Sequence, residues 1–269
     1  MGRADACIRA ATIACMQNRP LTILTGASRG MGLAMAEQLL QQDHQLITIA
    51  RQRNTALDEL AARLNAPLQQ WQHDLAAPSE AATTLRNWLQ TQDAALFASA
   101  TLINNAGVIP PIAPLAHSDW NAVSNGLRVG LEAPMLLTSA FLQATEHWTQ
   151  PRKVLNISSG MGRRAMASQA TYCAAKAGMD IFSASVALDE AGKPHGARIC
   201  SLAPGVIDTD MQVQLRSTDA AQFPDVQRFA QLHASSSLTS PHDAAARNLA
   251  WLARADFGEQ VVADVRQPG

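Results

Sequence analysis

The sequence predicts an α/β fold with one doubly wound parallel sheet of about seven strands and helices on both faces. From residue 20 onward, short apolar runs alternate with longer amphipathic segments. The short runs are apolar throughout, which is typical of parallel strands covered by helices on each side. No internal repeat or low-complexity linker interrupts the pattern, so residues 17–269 are expected to form a single domain.

The order of elements follows from these runs. Strands are predicted at 21–25, 45–50, 68–72, 102–104, 153–157, 197–202 and 260–263. Helices are predicted at 30–42, 55–64, 79–91, 118–147, 170–190 and 241–253. The long fourth helix contains Pro134, which should kink or interrupt it because proline lacks a backbone donor.

Residues 208–240 break the alternation. They are rich in Gln, Ser, Thr and Asp and follow the sixth strand. Because ligands bind outside the carboxyl ends of strands in open α/β sheets, this segment is a candidate substrate lid. A solvated helical excursion with no active role is an equal alternative.

Composition narrows the possible partners. A net charge of −1 and a pI near 6.6 argue against nucleic acid or an anionic membrane as a partner. The four cysteines are scattered, so neither a disulfide scaffold nor a metal site is expected, and no apolar run is long enough to cross a membrane. Residues 1–16 are expected to be a poorly ordered extension without a secretory signal, with Met16 as an alternative start. We expect a cytoplasmic protein.

A glycine-rich loop, residues 25–32, joins the first strand to the first helix. Glycines there allow a sharp turn and let a pyrophosphate approach the free N–H groups of the helix N-terminus. This position favours a dinucleotide-binding, Rossmann-type fold over a tight turn without a ligand. The residues expected to contact the dinucleotide are Gly26, Ser28, Arg29, Gly30, Met31 and Gly32.

The only tyrosine of the chain, Tyr172, precedes Lys176 by about one helical turn, so both side chains share a helix face. A phenol titrates near pH ~10, and an adjacent ammonium should lower its pKa toward the neutral range. Taken alone, this spacing is common by chance.

Together, the GxxxGxG loop and the Tyr172-xxx-Lys176 pair resemble the short-chain dehydrogenase/reductase family, from about residue 20 to the C-terminus. Further family markers follow successive strands: Asp74-Leu75, Asn104-Asn105-Ala106-Gly107, Ser158-Ser159 and Pro204-Gly205. Residues 203–212 and 156–160 look closest to the sepiapterin and benzil reductase branch.

The resemblance implies a catalytic group of Ser159, Tyr172 and Lys176. Tyr172 would protonate the carbonyl oxygen in reduction and act as the base in reverse. Lys176 would lower the Tyr172 pKa and bind the nicotinamide ribose, and Ser159 would hold the substrate oxygen. Ser158 is the alternative, but the thirteen-residue spacing to Tyr172 favours Ser159.

The resemblance also implies further cofactor contacts and a substrate contact. The additional cofactor residues are Asp74, Leu75, Asn105, Ala106, Gly107, Pro204, Gly205, Val206, Ile207 and Thr209, with Tyr172 and Lys176. The branch can place a C-terminal carboxylate in the substrate pocket. Asp264 is the nearest candidate here, and a surface aspartate is an equal alternative.

The end of the second strand favours NADP(H) over NAD(H). No carboxylate stands at residues 51–53, where NAD-binding folds hold the ribose hydroxyls. Arg51, together with Arg29 of the glycine loop, can clamp a 2′-phosphate, for which a guanidinium is well suited. The alternative is that both arginines point to solvent.

One family position departs from the pattern: Gly130 stands where the family carries an asparagine of a Ser-Tyr-Lys-Asn tetrad. That asparagine holds a proton-relaying water, so its loss puts full activity in doubt. The leading hypothesis is an NADPH-dependent ketone or diketone reductase, reversible as an alcohol dehydrogenase. The rival is a dinucleotide-binding sensor or partner-binding protein that has lost its chemistry. A homodimer or homotetramer is expected, through helices 118–147 and 170–190.

Overall fold

Seven parallel strands form one sheet in the order β3-β2-β1-β4-β5-β6-β7. The computed structural model describes residues 18–235 and 237–267, so the predicted extension, residues 1–16, lies outside it. The strands are β1 (Arg19–Thr25), β2 (Gln45–Ala50), β3 (Leu68–Gln72), β4 (Phe97–Asn104), β5 (Arg152–Ile157), β6 (Arg198–Ala203) and β7 (Val262–Asp264). The predicted parallel sheet is confirmed.

Helices connect the strands and cover both faces of the sheet. They are α1 (Gly30–Gln41), α2 (Thr55–Leu64), α3 (Pro78–Gln90), α4 (Trp120–Leu127), α5 (Ala133–Ala144), α6 (Ala170–Ala191), α7 (Asp210–Arg216), α8 (Val226–Ala234) and α9 (Pro241–Ala253). In the part of the chain that the structure describes, no helix is both long and apolar enough to cross a membrane.

Neighbouring strand residues enter opposite halves of the core. In β1, Leu24 packs on the side of α1 and α9, whereas Ile23 packs on the side of α3 and α5. Ile103 and Leu102 divide in the same way in β4. All four side chains are fully buried, which is why these strands are continuous apolar runs in the sequence.

Two segments gain detail in the structure. Residues 208–240, a candidate lid or a helical excursion, contain the short helices α7 and α8. The predicted helix 118–147 is three pieces: α4, a π-helical turn at Arg128–Glu132, and α5. Pro134 directly follows the π-helical turn and, without an N–H group, cannot donate to a carbonyl of that turn. The interruption at Arg128–Glu132 therefore precedes Pro134 directly, in line with the predicted kink, and has Gly130 at its centre.

Gly130 allows α6 to pack closely against the π-helical turn. It is buried, and a Cβ atom built on it would lie 3.1 Å from Cβ of Ala175, closer than ordinary van der Waals contact. Ala175 precedes Lys176 in α6. A side chain at position 130 would therefore push against the helix that carries the Tyr172–Lys176 pair.

We expect Gly130→Asn to lower the free energy of unfolding by about 1–3 kcal/mol, the usual cost of overpacking a filled core. Urea denaturation measures it. Ala175→Gly removes the opposing Cβ atom, so the double variant should lose less stability than the sum of the two single variants. Additive losses, or a rise in stability from Gly130→Asn alone, would show that position 130 is open.

Candidate active site

The site lies at the carboxyl edge of the sheet, around the ends of β1, β4, β5 and β6. The chain leaves β1 toward β2 on one side, whereas β4 pairs with β1 on the other. This reversal of strand order opens a crevice beyond the strand ends, the usual ligand position in doubly wound sheets. The sequence motifs singled out above fall on the loops around this crevice.

The glycine loop is shaped to receive an anionic dinucleotide. Gly26 and Gly30 have φ angles of 73° and 57°, which side-chain-bearing residues rarely adopt. A Cβ atom on Gly26 would lie 2.8 Å from Cα of Ala106, so no other residue fits there. The first turn of α1 carries no acidic residue, and no side chain caps its N–H groups. This uncapped helix end fits a pyrophosphate.

Hydrogen bonds from Thr25 fix the loop after β4 beside the glycine loop. Its hydroxyl accepts from the backbone N–H groups of Asn105 and Ala106, both at 2.9 Å. The Asn105 amide donates to the Thr25 carbonyl at 3.0 Å. A Cβ atom on Gly107 would lie 4.0 Å from Nζ of Lys176, so this loop links the glycine loop to the catalytic candidates.

The segment after β6 lies against the glycine loop from the other side. Gly205 has a φ angle of 87°, and the Val206 carbonyl accepts from the Thr239 N–H group at 2.9 Å. A Cβ atom on Gly30 would lie 3.7 Å from the methyl carbon of Thr209. The predicted contacts Pro204, Gly205, Val206, Ile207 and Thr209 thus belong to one segment that borders the crevice.

The residues predicted to select the cofactor lie at the surface. Arg51 is exposed and, across residues 18–235 and 237–267, joins no ion pair. The Arg29 guanidinium lies 2.9 Å from the Asp210 carboxylate, and both side chains are about three-quarters exposed. Asp74 is exposed and caps the Ala76 N–H group at 3.0 Å, with Leu75 buried beside it.

Lys176 is buried behind the phenol ring. Its Nζ atom donates to the Ile157 carbonyl at 2.7 Å, and the side chain is only 4% exposed. Burial lowers the pKa of Lys176 to about 8, against the opposing effect of the Asp180 carboxylate. The ammonium lies 5.7 Å from the centre of the Tyr172 ring, over the aromatic face.

The pKa of Tyr172 moves against the expectation from its spacing to Lys176. Burial raises it to about 12, and an interaction with the Ser159 side chain opposes this rise in part. The predicted lowering by Lys176 is therefore wrong for the protein alone, because the loss of water around the phenol outweighs the nearby charge. Tyr172 holds its proton throughout the neutral range.

The structure separates the two neighbouring serines. Ser159 is partly exposed, and its hydroxyl accepts from the Met161 N–H group at 3.2 Å beside Tyr172. Ser158 is buried, and its hydroxyl has no hydrogen-bond partner among the described residues. Ser159 is the serine that a ligand at the Tyr172 hydroxyl would meet.

Several site residues had no signal in the sequence. The Asp180 carboxylate accepts from the Ser201 hydroxyl at 2.6 Å and from the Arg163 guanidinium at 3.0 Å. Arg163 also donates to the Ala263 carbonyl at 2.9 Å. These bonds hold the turn after Ser159 against α6, β6 and β7. Because the four partners come from four distant stretches of chain, no local sequence pattern predicts these bonds.

Asp264, the carboxylate considered for the substrate pocket, is paired with a neighbour. Its two oxygens accept from Nε and Nη2 of Arg266 at 2.8 and 2.6 Å. The guanidinium lowers the pKa of this carboxyl group. The negative charge of Asp264, at the end of β7, is therefore balanced by the Arg266 guanidinium.

Comparisons with known proteins agree with this geometry. A family model for short chain dehydrogenases matches residues 21–220. A Bacillus cereus protein named benzil reductase ((S)-benzoin forming) is 35% identical over 219 residues, 81% of this chain and 88% of the relative. Bovine (Bos taurus) sepiapterin reductase is 30% identical, over 78% of this chain and 80% of its own. The crystal structure of the KRED1-Pglu enzyme has a TM-score of 0.75 at 26% identity and covers 90% of this chain and 99% of its own. The chain belongs to the short-chain dehydrogenase family of oxidoreductases, which bind a nicotinamide dinucleotide.

Proposed function

We propose that the protein is an NADPH-dependent carbonyl reductase that acts on ketones, with 1,2-diketones as the favoured class, and that runs in reverse as an alcohol dehydrogenase. The observation that carries this proposal is the placement of Ser159 and Tyr172 together, with Lys176 behind the phenol, beside the crevice of the glycine loop. The diketone class is favoured by the relatives named benzil reductase, at 35% and 31% identity.

In this mechanism the chain holds the substrate and moves one proton. The Ser159 and Tyr172 hydroxyls bind the carbonyl oxygen, and Tyr172 donates its proton to that oxygen. A reduced nicotinamide, when bound along the glycine loop, would supply the hydride that the carbonyl carbon accepts. The buried Lys176 ammonium stabilises the phenolate that remains, and its low-dielectric surroundings strengthen this interaction.

Arg29 and Arg51 support the choice of NADPH. They lie after β1 and β2, the strand ends that flank the ribose position of a doubly wound fold. Arg53, in the same stretch as Arg51, is held by Asp58 through two bonds of 2.7 and 3.0 Å. Arg29 makes a single exposed bond to Asp210, whereas Arg53 is held by two, so we assign the 2′-phosphate to Arg29 and Arg51 and not to Arg53.

The rival function, a sensor that binds the dinucleotide without chemistry, rests on Gly130. In the structure Gly130 packs against Ala175, and Ser159, Tyr172 and Lys176 are all in place. The geometry therefore favours the enzyme.

The assembly follows from exposed apolar side chains on two neighbouring helices. Met135 of α5 and Ile181 and Leu188 of α6 are 40%, 68% and 79% exposed. A groove of about 280 Å³ between these helices is lined by Met135, Leu142, Phe182 and Val186, among others. We propose that this face, defined by Met135, Ile181 and Leu188, pairs with the same face of a second copy in a homodimer or homotetramer.

The wild-type protein should oxidise NADPH with a 1,2-diketone such as benzil, and kcat for reduction should stay level at neutral pH. This kcat should fall as pH rises through the Lys176 pKa of about 8, because the uncharged amine no longer stabilises the Tyr172 phenolate.

Tyr172→Phe should lower kcat by about 100-fold or more. NADPH binding, followed by calorimetry, should survive that change. Unchanged turnover in Tyr172→Phe would contradict the role of Tyr172, and binding without any turnover in the wild type would favour the sensor.

Replacing Arg29 and Arg51 with Ala should weaken NADPH binding by about 10- to 100-fold, the range expected for lost charge-assisted hydrogen bonds. NADH binding should change little, because it lacks the 2′-phosphate. Calorimetric titration with both cofactors measures this. Arg53→Ala is the matched control, since that guanidinium is already paired with Asp58. Equal losses for NADPH and NADH would contradict the assignment.

Replacing Ile181 and Leu188 with Asp should shift the protein to a smaller assembly in light scattering coupled to gel filtration, because burying the new carboxylates is unfavourable. Leu64→Asp is the control, as Leu64 is 44% exposed on α2, away from the proposed face. The proposal fails if the wild type is already monomeric or if the double variant keeps the wild-type mass.

A further inference from the structure

The hydroxyl of Tyr172 is covered by a side chain from the segment after β6. Its Oη atom lies 3.9 Å from Sδ of Met211, and Tyr172 is only 8% exposed. A carbonyl oxygen must come within about 3 Å of Oη to take its proton. Met211 therefore stands where a substrate has to enter.

Met211 lies one helical turn before Leu215 on α7, so both side chains share one helix face, next to an apolar wall. The segment of α7 and α8 packs on the loops after β4 and β5 through a separate cluster of buried side chains, here called the outer cluster: Ile112, Met166, Leu215, Phe223 and Phe229. Met161 and Cys173 border it. Thioethers pack favourably against aromatic rings. Such a wall suits a flat apolar group beside the carbonyl.

The N-terminal turn of α7, which carries Met211, is held less firmly than the end anchored by the buried Leu215. Among the described residues, its first residue, Asp210, joins the glycine loop through one exposed pair, with Arg29. Exposed pairs contribute little to stability because water and salt screen them. Asp208 pairs with Arg216 at 3.2 Å within the same segment. The methionine side chain is also flexible, so displacing its thioether does not require the fold to open.

We propose that Met211 is a specificity-determining residue: it covers the Tyr172 hydroxyl in the free protein and forms the movable wall against the substituent of the bound carbonyl compound. The ligand class is an apolar ketone with a planar, aryl-type substituent. This inference rests on the proposed reductase function, because it concerns the substrate of the same site. An aryl diketone turns the thioether away from Oη and packs its ring against it, whereas a small aliphatic diketone has no ring to make this contact.

The test compares Met211→Ala with Met211→Leu on 2,3-butanedione and benzil. In Met211→Ala benzil loses the thioether contact to its ring, so its KM should rise about tenfold, the effect of a lost pocket contact. KM for 2,3-butanedione should change little, and so should kcat for either substrate, because Met211 transfers no proton. Met211→Leu keeps the volume and should follow the wild type. Val213→Ala is the control on the same helix, at an exposed position.

A second readout does not depend on turnover. Because Tyr172 is the only tyrosine, ¹³C labelling of the ζ carbon gives one NMR signal that reports this hydroxyl alone. Met211→Ala should shift that signal toward a hydrated phenol, and Met211→Leu and Val213→Ala should not. An unmoved signal, or the same benzil-to-butanedione preference in Met211→Ala and wild type, overturns the role of Met211 while leaving the reductase function standing. A wild type that reduces no carbonyl overturns the function itself.

Discussion

The buried ammonium of Lys176 is the constraint around which the site is built. Burial alone would drive this amine toward its neutral form. The Ile157 carbonyl at 2.7 Å and the Asp180 carboxylate one turn along α6 oppose that tendency, and a pKa of about 8 keeps the charge at neutral pH. Asp180 in turn needs Arg163, which reaches across to the backbone of β7. The chain of contacts from Lys176 through Asp180 to Arg163 thus links the end of β5, the turn after Ser159 and the last strand.

The second constraint is the close approach of α6 to the π-helical turn. Gly130 faces Ala175, and a Cβ atom on Gly178 would lie 2.9 Å from Leu131. Small residues on both partners let these backbones come near each other, just where Lys176 is carried. Position 130 is therefore a contact between the π-helical turn and α6, and this contact leaves no room for the asparagine side chain that the family carries there. Any relay of protons to Lys176 runs without a side chain there.

A feature of the fold can be predicted from the sequence when the contacts that determine it are local. The strands were predictable because burial on both faces leaves continuous apolar runs, as at Ile23 and Leu24. The glycine loop and the preference for Ser159 over Ser158 follow from position along the chain. The sequence left a helical excursion open for residues 208–240 but not the bounds of α7 and α8, because their surfaces are mostly polar and only a few residues such as Leu215 and Phe229 anchor them. Met211 meets Tyr172 across 39 residues, which no periodic pattern encodes.

The same limit explains the wrong expectation for the phenol, and it bears on the direction of the chemistry. Spacing places Lys176 on the helix face of Tyr172, but only the fold shows the ammonium over the ring face and the hydroxyl against a thioether. A thioether has no hydrogen to donate, so it cannot stabilise the phenolate. A pKa of about 12 then keeps the proton on Tyr172 until a better acceptor arrives. An alkoxide that forms at the carbonyl oxygen is such an acceptor. The free protein is therefore poised as a proton donor, the state that carbonyl reduction requires.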